Sequence, residues 1–110
     1  MGGFVKGSVV VINFPFSDLS GAKRRPALVI ADLDGDDIIL CQITRRSTGD
    51  RYAITLKSGD FENGALSSDS TVRPNKIFTA DKGIILYTVG RVDTQKMDEV
   101  IRVLSEIISF

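Results

Sequence analysis

The period of the apolar residues changes only once along this chain. Between residues 8 and 92 they come in short β-branched runs separated by turn formers; from Met97 they recur at three- and four-residue steps. Strands therefore come first and a single helix last. The run SVVVINF at residues 8–14 is a strand apolar enough to be largely buried. Residues 15–23 (PFSDLSGAK) are rich in turn formers and read as a loop. Strands are expected at residues 26–31 and 37–44, with Asp34-Gly35 between them as a hairpin turn. A further strand, with one dry face, is expected at residues 52–56. Residues 58–69 are polar and read as loop with a helical turn near Asp60; short strands follow at 70–73, 76–79 and 84–92. In the last segment Met97, Val100, Ile101, Leu104, Ile107 and Ile108 form one face of an amphipathic helix. Asp93 or Thr94 can cap it, and Asp98 and Glu99 suit the positive end of its dipole. The expected architecture is mainly β, a barrel or strongly bent sheet closed by the helix. At 110 residues it makes one domain, residues 1–110.

Composition removes several kinds of chemistry. The chain has no histidine, which excludes Ser-His-Asp and Cys-His nucleophile systems, His-ligated metals and the two-histidine route to RNA cleavage. The one cysteine, Cys41, cannot form an internal disulfide, and its place in an apolar run reads as a small hydrophobe. No metal or cofactor is called for. The apolar runs are far too short to span a membrane and the N-terminus carries no targeting signal, so a cytoplasmic protein without a membrane partner is expected. Fourteen basic residues balance fourteen acidic ones, but the charges are clustered: Lys23-Arg24-Arg25 and Arg45-Arg46 are basic, while Asp32, Asp34, Asp36 and Asp37 crowd one stretch.

Pro26 restricts Arg25 to extended backbone, and because proline donates no ladder bond it suits the first residue of a strand. A hairpin centred on Asp34-Gly35 sets Val29 opposite Leu40, Ala27 opposite Gln42 and Arg25 opposite Thr44. Directly opposed side chains have Cβ atoms about 4.5–5.5 Å apart. A guanidinium and a hydroxyl thus meet on one face, with Gln42 a step deeper. The other face carries Leu28, Ile30, Ile39, Cys41 and Ile43, a coherent core.

The residues at 7–20 (GSVVVINFPFSDLS), 25–30 (RPALVI) and 41–44 (CQIT), with 72–79 (VRPNKIFT) and 89–92 (VGRV) before the helix, closely resemble the MazF/PemK (Kid) family of toxin endoribonucleases. The resemblance runs through nearly the whole chain. It implies a compact SH3-like barrel with a terminal helix, a homodimer, and a cognate acidic antitoxin that blocks the RNA site. It also implies metal-independent, sequence-selective cleavage of single-stranded RNA. In that family the chemistry sits on the Arg of an Arg-Pro motif and on a Thr or Ser ending the third strand, which are Arg25 and Thr44 here. RNA contacts are then expected from Phe16, Ser17, Asp18, Ser20, Lys23 and Arg24 in the first loop. Gln42, Arg45, Arg46, Arg73, Asn75 and Lys76 complete the expected set. Some family members use an Arg and an Asp in the stretch matching residues 72–76, together with a first-loop His. Here Asn75 stands where that Asp would be, an amide cannot accept a proton, and the His is missing. Asp18 or water is then left as proton acceptor. Two other readings stay open: a non-catalytic toxin of the same fold, similar to those that poison a topoisomerase, and a degenerate, inactive toxin.

Overall fold

The computed structural model describes residues 4–14, 23–46 and 49–109. Among the described residues seven strands and one α-helix follow one another: β1 (Ser8–Phe14), β2 (Lys23–Asp32), β3 (Asp37–Thr44), β4 (Ile54–Leu56), β5 (Phe61–Gly64), β6 (Ser70–Asp81), β7 (Ile85–Val92) and α1 (Thr94–Ile108). All strand pairs are antiparallel, in the order β4-β6-β3-β2-β1-β7-β5. Seven flat strands would make a plate one layer thick. The molecule measures 33 × 31 × 30 Å, so the sheet curls into a half-barrel that is open between β4 and β5. Among the described residues no helix is long and apolar enough to cross a membrane.

Because strand side chains alternate, the central strands feed two cores. Val9, Leu28, Ile30, Cys41 and Ile43 pack with Val72, Val92 and the Met97, Val100 and Leu104 face of α1. Val10, Ile12, Ala27, Val29, Ile38 and Leu40 form a second core, rimmed by Phe4, Phe14, Phe78 and Ile85. Burying each large aliphatic side chain is worth roughly 1.5–3 kcal/mol, which accounts for the β-branched composition of these runs. Asp93 caps α1, its Oδ1 accepting from the Lys96 amide at 2.7 Å. Asp98 and Glu99 lie beyond the first turn, where the dipole is weaker; Glu99 instead accepts from Lys96 Nζ at 3.0 Å. Ile108, expected on the buried face, is exposed at the end of the helix.

β2, the β2–β3 register, β6 and β5 also differ from the sequence reading. β2 begins three residues early, at Lys23, because Phe14, Asn13 and Ile12 of β1 pair with Lys23, Arg24 and Arg25. Pro26 is therefore inside the strand, at a position where β3 does not pair, so its missing N–H breaks no ladder. The β2–β3 register follows the expected pairs from Ala27–Gln42 to Val29–Leu40, then slips by one residue at Ile30. Residues 70–81 make one strand rather than two, since both halves pair with β3 while Pro74, Asn75 and Lys76 bulge out between Arg73 and Ile77. β5, read as loop, is an edge strand held by β7; a Cβ on its partner Gly90 would sit 2.6 Å from the Asn63 carbonyl oxygen.

The β2–β3 turn is closed by a cation. Lys82 Nζ donates to the carbonyls of Leu33 and Gly35 at 3.0 and 2.8 Å and pairs with Asp32 Oδ1 at 2.7 Å. That ammonium holds the Asp32 carboxyl below its ordinary value.

Candidate active site and basic cleft

Arg25 and Thr44 line the same cleft, of about 410 Å³, on the second-core face of the sheet. They are not a ladder pair, because β2–β3 pairing stops at Ala27–Gln42. Beyond that rung the two strands are unpaired, and Arg25, Pro26, Ile43 and Thr44 from their ends line the cleft. Alternation along β3 puts Gln42 and Thr44 on this face, and pairing with Ile12 puts Arg25 there. The Arg25 guanidinium lies 5.8 Å from the Phe14 ring centroid, a cation–π distance, and Phe14 meets Phe78 in a tilted contact at 5.8 Å. The two rings give the arginine a wall. Thr44 is half-buried, and its Oγ1 accepts from the Arg46 amide at 3.2 Å, which leaves its proton available to a ligand.

Arg46 and Arg73 bring the number of guanidinium groups in the cleft to three, and no carboxylate is among its described lining residues. Arg73 stands opposite Gln42 where the bulge begins. Asp50 braces it from behind: Asp50 Oδ2 pairs with Arg73 Nη2 at 3.0 Å, and Asp50 Oδ1 accepts from the Tyr52 amide at 2.9 Å. Arg73 Nε is buried with no hydrogen-bond partner among the described residues. A buried donor without a partner costs about 1–3 kcal/mol, so this group is unusually receptive to an anion. Such a cleft can grip a phosphodiester: planar forks bind two oxygens at once, and the threonine hydroxyl adds a further donor.

The structure divides the residues expected from the sequence. Arg25, Gln42, Thr44, Arg46 and Arg73 come together in this cleft. Arg24 and Arg45 line a second cleft on the other face. Lys23 is exposed at the start of β2. Asn75 and Lys76 are exposed in the bulge and line neither cleft, because the extra residues carry them away from the ladder. Phe16, Ser17, Asp18 and Ser20 lie outside the described residues. Cys41 is buried on the helix-side core; its thiol donates to the Arg73 carbonyl at 2.9 Å, and burial pushes it up to about 12. As expected, it is a hydrophobe and no nucleophile near neutrality. Asp50 was missed, since nothing local ties it to a partner 23 residues away. Phe14 was legible in principle: Val10, Ile12 and Phe14 alternate onto the face that Arg25 shares.

Comparison with known proteins adds a family. The family described as PemK-like, MazF-like toxin of type II toxin–antitoxin system matches residues 5–108. No curated protein matches the chain. Among solved structures it is similar to MazF from Deinococcus radiodurans, with 20% identity, TM-score 0.76 and all of both chains covered. The MazE–MazF structure from the same organism also matches at 20% and 0.76, with 100% of this chain and 99% of that one covered. An endoribonuclease in complex with its cognate antitoxin, from a mycobacterial species, matches at 14% identity and TM-score 0.74, covering 96% and 97%. At these identities the structural likeness speaks for the curled sheet and terminal helix.

Proposed function

Since the chain belongs to the PemK-like, MazF-like toxin family of type II toxin–antitoxin systems, we propose that it is an endoribonuclease that cuts single-stranded RNA in its basic cleft. One observation carries the reading: Arg25, Arg46, Arg73 and Thr44 line one cleft, and no carboxylate is among its described lining residues. The substrate is RNA because the nucleophile is the ribose 2′-hydroxyl. Its oxygen bonds to the adjacent phosphorus while the bond to the 5′-oxygen breaks. The 2′ proton passes to water, and the departing 5′-oxygen takes one up. The products are a 2′,3′-cyclic phosphate and a 5′-hydroxyl.

Arg25 clamps the phosphoryl oxygens and opposes the charge that grows on them. A guanidinium holds its proton far above neutrality, so it acts as an electrostatic group rather than a base. Thr44 donates its hydroxyl to the same oxygens, and Arg73 is the third contact. No step calls for a metal. Because a similar structure is an endoribonuclease with its antitoxin, we place an acidic antitoxin segment in competition with RNA for this cleft. A homodimer completes the proposal.

Purified protein incubated with a mixed RNA pool, followed by sequencing of the ends, tests this directly. Cyclic-phosphate ends at a short recurring motif, undiminished by EDTA, are expected. Arg25→Ala and Thr44→Val should each lower the rate by about 10²–10³ with an unchanged circular-dichroism spectrum. Arg25→Lys should fail as well, because a point charge cannot reproduce the fork. An uncut pool, or full activity in either variant, rules the proposal out.

A further inference from the structure

The two basic dipeptides straddle the end of the sheet. Alternation along β2 points Arg24 and Arg25 to opposite faces, and the bend after β3 divides Arg45 and Arg46 in the same way: Arg25 and Arg46 serve the first cleft, while Arg24 and Arg45 line a second cleft of about 310 Å³ on the helix side. Arg25 and Pro26 belong to both, which makes the two spaces neighbours across one rim. The second cleft has no carboxylate among its described lining residues, and among the described residues neither Arg24 nor Arg45 forms an ion pair. It also holds Tyr87, paired with Val11 on β1 and 49% exposed, whose ring has no aromatic or cationic partner among the described residues. A large aromatic face left in water beside two guanidinium groups with no ion pair among the described residues matches the chemistry of a nucleotide: a base to stack and a phosphate to neutralise.

We infer that this second cleft binds the single-stranded RNA that flanks the scissile link, the strand crossing the rim at Arg25-Pro26 with one base stacked on Tyr87. The inference rests on the RNA-cleaving reading of the first cleft. It enlarges the site to both faces of the sheet, and it makes affinity depend on substrate length.

The test measures binding of a 2′-O-methyl RNA of about twelve nucleotides, which cannot be cut, and of a trinucleotide spanning the cleaved link. Native protein should bind the longer RNA far more tightly. Tyr87→Ala should weaken the longer RNA by about five- to hundredfold, with Tyr87→Phe close to native. Arg24→Gln combined with Arg45→Gln should lower the slope of log affinity against log salt by about 1.4, for two single-strand phosphates at about 0.7 each. In each case the trinucleotide should keep its native affinity, at unchanged melting temperature. Equal losses for both lengths, native binding in the variants, or variants weakened only toward an acidic peptide would each overturn the inference. A protein that binds the long RNA through Tyr87 yet cuts nothing would keep the second cleft and remove the nuclease reading.

Discussion

The Asp50–Arg73 pair is the place where stability and the candidate site share one interaction. Asp50→Asn is the informative change, because the amide oxygen can still accept from the Tyr52 amide while the charge opposite Arg73 disappears. The two side chains are 23% and 28% exposed, so the pair is mostly sheltered from water. Exposed pairs are worth about 0.2–1 kcal/mol, whereas depriving a buried charged donor of its acceptor costs about 1–3 kcal/mol. Arg73 already carries one donor without a partner among the described residues, at Nε, and would then carry two. A loss of about 1–2 kcal/mol follows. At about 4–8 °C per kcal/mol for a domain of this size, the melting temperature should fall by roughly 4–15 °C. Urea unfolding of Asp50→Asn, Arg73→Met and the double variant closes the cycle. The double variant should regain about 1–2 kcal/mol over the sum of the singles, with m unchanged. Strict additivity, or an Asp50→Asn cost below about 0.5 kcal/mol, refutes the brace and leaves the two residues as neighbours only.

Gly64 has φ +69°, and a Cβ there would clash with the Val89 carbonyl oxygen, so Gly64→Ala should destabilise by more than 1 kcal/mol and expose β5–β7 amides to hydrogen exchange. Cys41 is pushed from 9.0 up to about 12 by burial, so above pH 9 the unfolded chain binds fewer protons than the folded one. Stability should therefore fall with rising pH by about 1.4 kcal/mol per unit between about 9 and 12, and Cys41→Ala should lack that component in unfolding measured from pH 8 to 10.5.

Most of the framework was legible because single runs carried it. β1 and β3 have the bounds that their apolar patterns suggest, and the Asp34-Gly35 turn sets three rungs correctly. Cys41 and the buried stripe of α1 followed from periodicity alone. What escaped was decided by partners rather than by local pattern. The FENG stretch of β5 has a mostly polar, exposed sequence and is a strand because β7 lies beside it. Pro74 looked like a strand end, yet β3 offers a ladder on both sides of it. Arg25 and Thr44 were placed on one face by the hairpin, but the ladder stops short of pairing them. The division of Arg24 and Arg25 between two clefts is implicit in alternation along β2, whereas that of Arg45 and Arg46 is set by the bend after β3, which no local pattern announces.

The bulge in β6 has an evolutionary consequence. Pro74 is anchored inside, but Asn75 and Lys76 contribute to neither interior and to no rung. Replacing or lengthening that dipeptide changes what the molecule shows beside Arg73 without renegotiating the scaffold. The frame can therefore accept change at these two positions at little cost to either interior.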